Sequence, residues 1–182
     1  SFISCIGTIL PDQTDNPTSI MTIEETKKQM ISALTLDLFI TLQNGSLIEN
    51  FGNPFSQDID LEKYSDTRIY NITDTDNENQ LVTLTKMINA YENFLKYLND
   101  DKILIDYTYL WDLICKPNPK LFRVGINLVI LKVTDNDITN NVELVCPSNH
   151  YSSVFFNENK PTVILIKKND YYEPIIQYKE TE

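Results

Sequence analysis

With one histidine in 182 residues, His150, most chemistry that needs an imidazole has a single possible donor. A zinc set would need His150 and all three cysteines, Cys5, Cys115 and Cys146, to converge. None of the cysteines has Cys-x-x-Cys spacing, so no metal is expected. Three thiols, odd in number and sparse, read as a reduced intracellular protein rather than a disulfide framework. Basic residues are also few: 15 Lys plus Arg against 26 Asp plus Glu leave a net charge of -11. That balance repels a polyanion, and the longest basic run is Lys167-Lys168, so nucleic acid is not an expected partner. No run approaches the roughly 18 apolar residues that cross a bilayer, and Ser1-Phe2-Ile3 lacks the basic start of a signal peptide, so no membrane is expected either. The four glycines form no phosphate-cradling loop and no Gly-x-Ser-x-Gly elbow, and His-Glu-x-x-His is missing. Kinase, nucleotide-dependent and zinc-hydrolase classes have no support, and no cofactor is expected.

The chain does hold enough apolar material for a core. At 42% hydrophobic residues, 1–182 reads as one domain that folds without disulfides or metal. Asn, Ile, Lys, Asp and Tyr are abundant, a composition associated with AT-rich genomes, and a start on Ser1 suggests a piece excised from a larger protein. The acidic clusters at 74–78 and 135–137 lack the central Gly and terminal Glu of a calcium loop and read as solvated turns. Asn44-Gly45-Ser46 and Asn71-Ile72-Thr73 fit the glycosylation pattern, which an Asn-rich chain produces by composition.

Periodicity places helices first and strands last. Phe2, Ile6, Ile9 and Leu10 share a side of a short helix ended by Pro11. Thr22-Ile23-Glu24-Glu25 is a capping box opening a helix with Ile23, Met30, Leu34 and Leu38 on one face, continuing to Asn44-Gly45. Residues 49–80 read as a surface excursion with one short helical stretch at 60–64. Leu84, Ile88, Tyr91, Leu95 and Leu98 recur at helical steps, and Asp106 is placed to cap a short helix through Trp111 that stops at Pro117. Residues 126–133 are rich in β-branched side chains and read as a strand buried on both faces. Strands at 142–145, 162–166 and 171–178 follow, the last two joined as a hairpin by the four residues 167–170. The fold class is α+β, with helices packed on one face of a small, mostly antiparallel sheet.

Two constellations could carry chemistry or recognition. Cys5, near the start of the first helix, paired with His150, would suit a cysteine protease; Cys5 as a small core residue is the plainer reading. Cys146 and His150 lie four apart in a loop that fixes no geometry. Tyr107, Tyr109 and Trp111, together with His150 and Tyr151, could form an aromatic protein-recognition surface, although rings in such numbers serve packing first.

The layout resembles the ovarian-tumour (OTU) family of papain-like cysteine proteases, which remove ubiquitin. Ser1-Phe2-Ile3-Ser4-Cys5-Ile6 resembles the nucleophile motif, Gly125-Ile126-Asn127-Leu128-Val129-Ile130 the middle strand, and Val163-Ile164-Leu165-Ile166 with Tyr171-Tyr172-Glu173 the closing pair. The resemblance implies an OTU/papain-like fold in which Ser1 falls where the family has its nucleophile and Tyr171 where it has its base. A serine without an imidazole is a poor nucleophile, and tyrosine, with an ordinary pKa near 10, is a poor base at neutral pH. The implied protein is a pseudo-enzyme, a binding or structural module of a larger, viral protein, placed in host cytoplasm or virion, with a protein partner of the ubiquitin-like kind. Two other readings stay open: an active protease or deubiquitinase using Cys5 and His150, and a virion or assembly component unrelated to the OTU family.

Overall fold

The run Asn127-Leu128-Val129-Ile130-Leu131-Lys132-Val133 forms the central strand β1 (Asn127–Val133), as its β-branched composition predicts. The computed structural model describes residues 1–13, 20–53, 59–135, 137, 139, 141–146 and 156–175. Within them β1 is joined by β2 (Val142–Val145), β3 (Thr162–Lys168) and β4 (Tyr171–Pro174) in the spatial order β2-β1-β3-β4.

The sheet is mixed. β1–β2 and β3–β4 are antiparallel, but the central β1–β3 pairing is parallel, with Asn127 opposite Thr162 and Leu131 opposite Ile166. The side chain of Asn127 fixes that direction. Its Oδ1 accepts from the Asn157 amide at 2.8 Å, and its Nδ2 donates to the Asn157 and Lys160 carbonyls at 2.8 and 3.1 Å and to Thr162 Oγ1 at 3.2 Å. The start of β3 is thereby pinned beside the start of β1. The closing hairpin turns on Asn169 and Asp170 alone, with Asn169 at φ 52°, so the expected four-residue connection is two residues long and both lysines belong to β3. β4 is described to Pro174, and the expected extension over 176–178 lies outside the described residues.

Seven α-helices precede the sheet among the described residues: α1 (Phe2–Ile9), α2 (Ile23–Ser32), α3 (Leu36–Phe39), α4 (Ser46–Phe51), α5 (Arg68–Ile72), α6 (Glu78–Asn99) and α7 (Trp111–Cys115). The capping box at α2 is present, Thr22 Oγ1 accepting from the Glu25 amide and Glu25 Oε2 from the Thr22 amide at 2.8 Å. The helix expected to run from there to Asn44 is broken. Thr35 adopts an extended conformation and its hydroxyl takes the Leu38 amide, starting α3 afresh. Gln43, Asn44 and Gly45 then follow one another in the left-handed region, so Gly45 precedes α4 rather than closing a long helix.

The described residues of 49–80 lie at the surface as expected, with a short helical turn at Glu62–Tyr64, but they are anchored to the core. Phe51, Ile59, Leu61 and Ile69 pack against the core, and Tyr64 is buried in it. α5 is capped twice, by Thr67 Oγ1 on the Tyr70 amide and by the Asp37 carboxylate on the Arg68 and Ile69 amides at 2.9 Å. α6 begins at Glu78, six residues before its first core-facing leucine, because Asn77 caps it. Asp106 does not cap α7. Its Oδ1 accepts the Thr108 amide in a local turn, and Leu110 occupies the cap position without a side-chain bond.

One hydrophobic core joins the helices to one face of the sheet. Phe2 and Ile6 of α1, Met30, Phe39, Leu47, Ile88, Phe94 and Trp111 meet Ile130, Leu165 and Tyr172.

Candidate functional site

The junction of α1 with β4 is where the sequence motifs meet. α1 is almost wholly apolar, so it sinks into the core with Phe2, Ile3, Cys5 and Ile6 buried, and Ser1 caps it by accepting the Ser4 amide at 3.2 Å. The Phe2 ring meets Tyr172 of β4 edge-on at 5.4 Å and Tyr107 at 6.4 Å. Successive strand residues point to opposite faces. With Tyr172 turned inward onto α1, Tyr171 therefore turns outward and is 76% exposed. Ser1 and Tyr171 thus sit on adjoining elements with the tyrosine side chain directed away from the helix that carries the serine.

Cys5 lies at 3% exposure beside this junction, and burial pushes its thiol pKa up, outweighing the opposing pull of the Ser1 ammonium. Cys115 behaves similarly: burial raises it to about 12, the Asp112 carboxylate contributing a smaller part in the same direction. Both thiols are neutral near pH 7, the reverse of what a nucleophile requires. Cys146 is exposed. His150 and Tyr151 lie outside the described residues, so the Cys5–His150 and Cys146–His150 pairs fall partly outside them too.

The aromatic segment expected as a recognition surface packs inward. Trp111 is 2% exposed, with Tyr107 against its ring at 5.8 Å, while Tyr109 packs on Phe51 at 5.0 Å and Tyr97 at 5.7 Å. Tyr107 and Tyr109 remain half-buried. Of the three rings at alternate positions 107, 109 and 111, only Trp111 is taken fully into the core.

A polar cluster that sequence reasoning missed sits beneath α7. Asp112, 1% exposed, accepts from the Gln43 amide and from Lys116 Nζ, each at 2.7 Å, and Gln43 Nε2 donates to the Thr108 carbonyl at 2.7 Å. It ties the left-handed turn at 43–45 to α7. The signal was one acid inside the apolar run Trp111-Asp112-Leu113-Ile114. Among the described residues no group of three or more His, Cys, Asp and Glu could hold a metal ion, and no helix is long and apolar enough to cross a membrane.

No family model and no solved structure matches the chain. It is 22% identical over 194 residues to an uncharacterized protein of Acanthamoeba polyphaga mimivirus, a match that takes in the whole of this chain and spans 9% of that protein's length.

Proposed function

We propose that the chain is a catalytically inactive, OTU-like binding or structural module of a larger viral protein, with a protein partner of the ubiquitin-like kind. The observation that carries the reading is the packing of α1 against the closing hairpin through Phe2 and Tyr172, with Ser1 at the head of the helix and Tyr171 facing away from it. α1 and β4 are in contact, and the positions of Ser1 and Tyr171 hold side chains without an imidazole base. The one cysteine of the helix is a buried, neutral thiol. The similarity to a segment of a long mimivirus protein supports the viral part of the reading.

Ubiquitin bearing a thiol-reactive C-terminal warhead tests it, with intact mass as readout and Cys146→Ser as background. The expected result is no adduct in a folded sample. An adduct on Cys146→Ser that disappears when Cys5→Ala is added would make Cys5 a nucleophile and overturn the inactive assignment.

A further inference from the structure

β1 is composed for burial on both sides, and the described helices pack on the side that carries Leu128 and Ile130. On the other side Val129 and Leu131 are half-buried and Val133, at the end of the strand, is buried. They are flanked by Val142 and Leu144 of β2, Ile164 and Ile166 of β3, and Tyr171 of β4, which the strand registers place on the same face. Val142, Leu144 and Tyr171 are 42, 58 and 76% exposed, and Ile175 just beyond β4 is 50% exposed. A contiguous apolar face of this kind marks an interaction surface.

Charge selects the partner. The chain carries -11 overall, but the strand positions on this face hold one cation, Lys168, and one anion, Glu173. These two line a groove of about 470 Å³ with Val133, Ile166, Asn169 and Tyr171. A basic partner would be drawn to the acidic remainder of the surface, whereas a second copy is repelled there and meets no net repulsion here. A two-fold interface must be self-complementary, and a face with one charge of each sign beside a groove is so: Lys168 of either copy can meet Glu173 of the other.

We propose that this outer sheet face is the interface between two copies of the chain, packed sheet on sheet about a two-fold axis. The second copy supplies the cover that the composition of β1 calls for. The inference rests on the sheet alone, not on the OTU-like reading, and adduct formation at Cys5 leaves it untouched.

Sedimentation velocity over a wide range of concentration tests it. The unsubstituted chain is expected to form a dimer. Leu144→Glu and Lys168→Glu, both at exposed positions that leave the fold intact by circular dichroism, should each weaken the dimer about tenfold or more. The exchange Lys168→Glu with Glu173→Lys should restore it. A folded monomer at every concentration, a dimer indifferent to both single substitutions, or an exchange variant that stays as weak as Lys168→Glu would each overturn the proposal.

Discussion

Gly125→Ala should lower the unfolding free energy by about 3 kcal/mol, the sum of a left-handed backbone imposed on a residue with a Cβ and an overpacked contact. Gly125 has φ +73°, and a Cβ there would lie against the Cys115 carbonyl oxygen and 3.0 Å from the Pro117 nitrogen. Neither neighbour is a flexible side-chain end that can swing aside. The same Cys115 carbonyl accepts the Ile126 amide at 3.2 Å and Lys160 Nζ at 2.9 Å, so displacing it loosens the entry to β1 and the approach to β3 together. Urea unfolding followed by circular dichroism measures the effect. A midpoint unchanged from the parent chain would mean that the turn between α7 and β1 is not built this way.

Phe2→Ala should cost about 4 kcal/mol, in the range of phenylalanine truncations that leave a cavity. Phe2 is fully buried and is the ring through which α1 reaches both Tyr172 of β4 and Tyr107. Its two ring neighbours belong to stretches of chain far apart in sequence, so the space left behind cannot close by one local shift. Phe2→Leu keeps most of the volume and should lose clearly less. Urea midpoints for the two variants check the ordering, and equal, small losses would show that α1 is not anchored through this ring.

How much of this was legible depended on whether the deciding interaction was local. The capping box at Thr22, the apolar face of α6 and the β-branched run of β1 follow from neighbours a few residues apart, and all three stand where periodicity puts them. The direction of β3 did not, because it is set by Asn127 reaching residues some thirty positions away. Residues 49–80 looked polar enough for a loop, yet Tyr64, its hydroxyl on Glu92 of α6 at 3.0 Å, and a few isolated apolar side chains tie the stretch to the core. In the candidate site, the contact of α1 with β4 through Phe2 and Tyr172 joins residues far apart in sequence, and the facing of Tyr171 against Tyr172 depends on strand register. Exposed and buried aromatics in Tyr107, Tyr109 and Trp111 could not be told apart by residue type, since the same rings suit a core and an interface.

Thiol accessibility in the native state bears most directly on the proposal that α1 carries no nucleophilic cysteine. Titration of the folded chain with a small thiol reagent at neutral pH should reveal one fast-reacting group, absent in Cys146→Ser, with Cys5 and Cys115 released only on unfolding. Rapid labelling of Cys5 in native Cys146→Ser near pH 7 would reveal an accessible thiolate and contradict the account.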